Sequence, residues 1–160
     1  MIPLRRNAKK LAQLLSRLEV RLVCAESCTG GLVAATLTQV PGISEWFCGS
    51  AVTYRGASKE QWLGVDAKDI ARNQAVNPAV AKQMAELALK QTNEADLAGA
   101  ITGHLGPGAP GPLDGVVYVG VCRRDGPPSS MRHQLVGPDR QTRQREAAAI
   151  VLEALIDALA

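Results

Sequence analysis

The stretch VCAESCTGGLVAATL, Val23 to Leu37, decides how the chain is read. An apolar run leads straight into Glu26, Ser27, Cys28 and Thr29, then into Gly30-Gly31, and small apolar residues follow. RLVCA, Arg21 to Ala25, is short and apolar on both faces, which predicts a buried strand. Gly31 to Thr38 predicts a small-residue helix, stopped by Pro41-Gly42. The unit is therefore strand, glycine turn, helix, the building block of an α/β domain.

The same alternation continues outward. Leu11, Leu14, Leu15 and Leu18 lie on one helical face before the first strand. WFCGSAVTY, Trp46 to Tyr54, predicts a second strand, and helical turns are expected over Ser58–Leu63 and Ala67–Arg72. Asn77-Pro78 opens a helix, with Asn as N-cap and Pro at the first helical position, and Val80, Met84 and Leu87 as its buried stripe. DLAGAITG, Asp96 to Gly103, is a third strand and VVYVGVCRR, Val116 to Arg124, a fourth. Asp125-Gly126 signals a hairpin turn, making MRHQLV, Met131 to Val136, a fifth strand antiparallel to the fourth. Asp139 caps a last helix whose buried face is Ala147, Ile150, Val151, Ala154, Leu155 and Ala158. The expected fold is a three-layer α/β/α sandwich on a mixed, mostly parallel five-stranded sheet, one domain over residues 1–160.

Composition narrows the function. Aromatics are only 3% of residues, so Ala, Leu and Val must build the core. The net charge of +3 is mild and the basic residues are scattered, unlike the basic stripe with interleaved aromatics of a nucleic-acid binder. The cluster from Arg140 to Arg145 reads as a helix start with a solvated face. Cys24, Cys28, Cys48 and Cys122 lack the spacing and His neighbours of a zinc site, so neither a metal nor another cofactor is expected. No secretory leader and no membrane-length apolar run is present, so a cytoplasmic protein without membrane partners is expected. A homodimer is the expected assembly, as for many small α/β enzymes.

Ligands of such sheets sit beyond the carboxyl ends of the parallel strands. Two glycine-rich loops fall there, ESCTGG after the first strand and TGHLGPG after the third. The latter opens a stretch, His104 to Gly115, with four Gly and three Pro that cannot be regular structure. Ser27 and Thr29 are helix caps on the plainest reading. On the functional reading, Ser27 is a nucleophile beside free backbone N–H groups that hold an oxyanion. The loop is neither a Walker loop, nor a dinucleotide fingerprint, nor a G-x-S-x-G elbow. A serine needs a base. His104 lies in the second glycine-rich loop, whereas His133 falls on the last strand. Lys59 is the other candidate base, provided burial lowers its pKa, and its plain alternative is a solvated helix lysine. Tyr54 either relays a proton or packs at the rim, and Cys28 is the rival nucleophile.

AESCTGGLVAATLTQVPGISEWFCGSAVTYRGASKEQWLGV resembles the start of the CinA C-terminal domain family, the bacterial competence/damage-inducible proteins and the stand-alone nicotinamide-nucleotide amidases of PncC type. ITGHLGPG sits where that family has T-G-I-A-G-P-G, and DGVVYVGV and GPDR also fit. The resemblance implies a metal-free serine amidohydrolase that converts nicotinamide mononucleotide to nicotinate mononucleotide and ammonia. It implies Ser27 as nucleophile, Lys59 as base and Tyr54 as an assisting group. It further implies that Thr29, Gly30 and Gly31 supply backbone donors, that Gly103, Gly106 and Gly108 line the nucleotide pocket, and that Arg140 reaches an anionic group or caps a helix. Glu26 is expected to orient Lys59, to face the pyridinium charge, or to form a strand-end salt bridge. Arg55-Gly56 and His104-Leu105 depart from the family pattern, and His104 offers altered substrate choice or a second base. The sequence does not include the amino-terminal domain of full-length CinA proteins. Two alternatives stand beside this reading: a non-catalytic nucleotide-binding sensor or partner module, and an amidase for a different amide.

Overall fold

The computed structural model describes residues 2–160. In chain order the elements are α1 (Leu4–Leu18), β1 (Leu22–Glu26), α2 (Leu32–Leu37), β2 (Phe47–Val52), α3 (Gly56–Ser58), α4 (Ala67–Ala71), α5 (Pro78–Lys90), β3 (Leu97–Gly103), β4 (Val116–Arg123), β5 (Ser129–Gln134) and α6 (Arg140–Leu159). The sheet order is β2-β1-β3-β4-β5. β1 pairs in parallel with β2 and β3, while β4 runs antiparallel to both β3 and β5. Only β4 therefore opposes the other strands, which is the mixed sheet expected.

Each sheet face carries its own core. Leu22, Cys24, Leu97, Ile101, Val117 and Val119 face α1, α2 and α6. Val23, Ala25, Ala98, Ala100 and Cys122 face α5, joined by Leu63, Val65 and Ala75. This alternation explains why β1 is apolar at every position before Glu26: both its faces are covered. A side chain at Gly120 would run into the backbone of Ala81, so the glycine lets α5 lie directly on β4.

Several helix faces are rotated from expectation. α1 buries Asn7, Ala8, Leu11, Ala12 and Leu15, while Leu18 is exposed, because α2 and α6 cover only its middle turns. α5 buries Val80, Ala81, Met84, Ala85, Ala88 and Leu89, leaving Leu87 half-buried. In α6 the buried set is Ala147–Ala149, Val151, Leu152, Leu155, Ile156 and Leu159; Ile150, Ala154 and Ala158 sit at its edge. The sequence pattern misses Ala148 and Leu152 because α6 packs against both the sheet and α1, which widens its apolar stripe.

β5 starts two residues earlier than Met131 and ends at Gln134, since Val121 pairs with Ser129 and Val116 with Gln134. The hairpin loop spans 124–128 rather than a two-residue Asp-Gly turn, because Pro127-Pro128 have no N–H to pair. Leu135 turns inward and is buried, whereas Val136 is exposed. Asn77 and Asp139 cap α5 and α6 by accepting from Val80 N and Thr142 N.

Register brings the site together. Glu26 lies level with Val52 on one side and Ile101 on the other. Ser27, Thr53-Tyr54 and Thr102-Gly103 therefore leave the sheet side by side at the same end.

Candidate active site

At that end lies a cavity of about 380 Å³, within the range of small-molecule sites. Ser27, Cys28, Tyr54, Lys59, His104 and Arg140 all line it. Ser27 follows β1 directly, and its N–H is fixed by Ile101 O at 3.1 Å. Lys59 opens a π-helical turn, Lys59–Leu63, that continues α3 and swings the side chain inward beneath Ser27. At 2% exposure, Lys59 is not the solvated helix lysine of the plain reading.

Lys59 Nζ lies 2.7 Å from Ser27 Oγ, 2.7 Å from Thr53 O and 3.2 Å from Tyr54 O. Among the described residues, no carboxylate neutralises the ammonium there. Burial lowers the pKa of Lys59 from 10.5 to about 8, and the facing Cys28 thiol opposes the shift. In the neutral amine, two N–H groups donate to the two carbonyls, and the lone pair is left for the Ser27 hydroxyl. The Ser27 hydroxyl also lies 3.2 Å from Tyr54 O, to which it donates when Nζ is charged.

Cys28, the rival nucleophile, is 5% exposed. Burial pushes its thiol up to about 12, outweighing the attraction of Lys59. It is held as an inert thiol. Its N–H, beside Ser27 on the cavity wall, makes no hydrogen bond to another residue among the described residues.

Glu26 has a different place from the three expected. Its buried carboxylate accepts from Thr29 Oγ1 at 2.8 Å, Val33 N at 2.9 Å, Ala34 N at 3.2 Å and Ser50 Oγ at 2.7 Å. It anchors the first turn of α2 instead of touching Lys59 or the cavity, because a carboxylate is the natural partner of orphan helix N–H groups. Thr29, Gly30 and Gly31 likewise stand off the cavity wall. The Thr29 hydroxyl, not its N–H, donates to Glu26 Oε1, and Gly30 N closes the turn onto Ser27 O at 3.0 Å. Gly30 and Gly31 are required by their backbone, with φ of 60° and 99°.

Tyr54 contributes its carbonyl to the Lys59 cluster. Its phenol is exposed and accepts from Arg140 Nη2 at 3.0 Å, so no relay to Ser27 runs through it. Arg140 also donates to Gly106 O at 3.2 Å, which places a guanidinium between the Tyr54 rim and the glycine-rich loop. Gly103, Gly106 and Gly108 line the cavity on that side. His104 is tied by its N–H to Val116 O, and its Nε2 is buried without a partner among the described residues.

Sequence reasoning missed the supports of this loop. Asp114 accepts from Ala109 N at 3.1 Å and from Arg143 Nη1 at 3.2 Å, and Arg143 also donates to Leu105 O at 2.7 Å. The Ala109 N–H, followed by Arg143, holds the Asp114 carboxyl below its usual range. Arg143 is thus no solvated residue; its spacing of three from Arg140, one helical turn, was the available signal. Thr53 and Thr102 were also unmarked, because strand-end threonines carry no distinguishing pattern. Among the described residues, no three His, Cys, Asp or Glu side chains converge as a metal site. No helix among them is long and apolar enough to cross a membrane.

Comparison with known proteins gives a consistent result. The model of the CinA C-terminal domain matches residues 4–159. A putative competence-damage inducible protein of Halalkalibacterium halodurans is 36% identical over 138 residues, covering 86% of this chain and 33% of that protein. A CinA-like protein of Myxococcus xanthus is 38% identical over 150 residues, covering 92% of this chain and 35% of the relative. The chain spans about a third of the length of these curated relatives. Crystal structures of a CinA superfamily protein from Klebsiella pneumoniae and of a competence/damage inducible protein from Agrobacterium tumefaciens both superpose with a TM-score of 0.90. Their identities are 30% and 31%; each match covers 98% of this chain, and 97% and 94% of the respective partner.

Proposed function

This chain belongs to the CinA C-terminal domain family, and we propose that it is a nicotinamide-nucleotide amidase using a Ser27–Lys59 pair. The observation that carries the reading is the buried Lys59 amine 2.7 Å from Ser27 Oγ, with no carboxylate among the described residues to hold its charge. Bringing Lys59 from 10.5 to about 8 lowers the cost of the free amine by about 3 kcal/mol.

In the proposed reaction, neutral Lys59 takes the Ser27 proton as Oγ forms a bond to the carboxamide carbon. The oxyanion receives the Cys28 N–H, and an oxyanion donor of this kind typically lowers a barrier by about 3 kcal/mol. The protonated Lys59 then gives its proton to the departing nitrogen, the C–N bond breaks, and ammonia leaves. Lys59, neutral again, deprotonates a water that attacks the acyl-Ser27 ester; the C–Oγ bond breaks, Lys59 returns the proton to Ser27 Oγ, and nicotinate mononucleotide leaves. Thr53 O and Tyr54 O hold the amine throughout, so it needs no reorientation between steps. Arg140 is the cation available to a phosphate.

The test is product identification. Incubation with nicotinamide mononucleotide should yield ammonia and nicotinate mononucleotide in equal amounts. Release of free nicotinamide, from cleavage at the sugar instead, contradicts the proposal. The unpartnered Nε2 of His104 favours one variation, an amidase selecting a different amide, which competing amides in the same assay would reveal.

A further inference from the structure

Among the described residues, the one run of consecutive non-glycine residues at positive φ borders the catalytic cavity. Asn73 (φ 49°, ψ 36°), Gln74 (φ 53°, ψ 46°) and Ala75 (φ 67°) are three consecutive non-glycine residues in the left-handed region. Gln74 and Ala75 are disfavoured there because Cβ crowds the following carbonyl oxygen, while Asn73 bears a smaller penalty. Such strain persists only where the surroundings over-determine it. Asn77 Nδ2 donates to Asp69 O and Arg72 O, both at 2.9 Å, which ties the start of the turn. The buried Thr102 hydroxyl donates to Ala75 O at 2.8 Å, which ties its end to β3.

The held turn places Gln74 on the wall of the cavity that contains Ser27 and Lys59. Gln74 is exposed, and its carboxamide makes no hydrogen bond within the chain among the described residues. Nothing in the fold calls for this side chain: glycine would adopt the same backbone without the penalty. We infer that Gln74 is a specificity-determining residue whose carboxamide hydrogen-bonds the hydroxylated body of a nucleotide amide, away from the scissile bond. A carboxamide offers N–H donors and a carbonyl acceptor together, which matches ribose hydroxyls that both donate and accept. The inference rests on the amidase reading for the identity of the substrate, while Gln74 itself takes no part in proton transfer.

The experiment uses nicotinamide mononucleotide as probe and calorimetric Kd values on the Ser27→Ala background, so that turnover does not interfere. Gln74→Gly should weaken binding about five- to tenfold, the size of a lost neutral hydrogen bond. In the Ser27-containing protein it should raise KM similarly, leave kcat within about twofold, and raise the melting temperature by relieving strain. Asn73→Gly relieves neighbouring strain without removing the carboxamide, so it should raise the melting temperature with Kd unchanged. Equal Kd for Gln74→Gly and its parent overturns the inference, as does equal weakening by Asn73→Gly. Absence of ammonia release from the intact protein refutes the amidase reading, and the Kd comparison still decides the Gln74 contact. Failure of the Ser27→Ala protein to bind the probe at all refutes both.

Discussion

If Lys59 is the base, activity must follow its free-amine fraction, and the environment of Lys59 sets where that happens. With a pKa of about 8, roughly a tenth of the molecules carry the free amine at pH 7 and about nine-tenths at pH 9. kcat/KM should therefore climb about tenfold across that interval and then level off. A lysine left at its solvent value of 10.5 would give about a hundredfold climb with no plateau below pH 10. Stability must respond to the same group. Because the folded value is depressed, the unfolded chain binds more protons between about pH 8 and 10.5, so stability rises with pH there. The contribution of Lys59 reaches about 3 kcal/mol above that window and is lost as pH falls through about 8. The assay is initial-rate ammonia release from pH 6 to 10, with urea denaturation at matching pH values. A flat rate profile, or a climb still tenfold per pH unit above pH 9, refutes the assignment of Lys59 as a desolvated base.

Cys28→Ala should retain amidase activity within a few-fold while losing about 1 kcal/mol of stability, and Cys28 in the intact protein should resist iodoacetamide at pH 8, since burial keeps it a thiol. Glu26→Ala leaves two helix N–H groups and two hydroxyls without their acceptor; thermal and urea unfolding should report a loss of about 2–4 kcal/mol, with Glu26→Gln milder. Asp114→Asn should loosen the glycine-rich loop and raise KM more than it lowers kcat, measured by steady-state kinetics. Acid should do the same reversibly, because the Asp114 carboxyl, held below its usual range, makes its contribution above that range and loses it as pH falls through its folded value.

The layers and strands were legible because their signals are local. Apolar runs of five to eight residues, the Asn77-Pro78 and Asp139 caps, and glycines at the turn after β1 each act within a few positions. Helix faces were less legible, because α6 answers to both the sheet and α1, and its stripe depends on partners far away in sequence. In the site, Ser27 and Lys59 are 32 positions apart and meet only because β1 and β2 lie in register and a π-helical turn redirects Lys59. Glu26 was misplaced for a related reason. It was expected at Lys59, at the pyridinium or in a strand-end ion pair, but its side chain leaves the end of β1 toward α2, whose first-turn N–H groups it accepts. Arg143 and Asp114 were hidden because loop supports are fixed by tertiary geometry alone.

The most direct test of the account is ammonia release from nicotinamide mononucleotide by the purified protein, with Ser27→Ala, Lys59→Ala and Cys28→Ala assayed beside it. The account predicts release by the intact protein and by Cys28→Ala, and none above background from Ser27→Ala or Lys59→Ala while both stay folded. Undiminished release by folded Ser27→Ala, or binding without release by the intact protein, would contradict it.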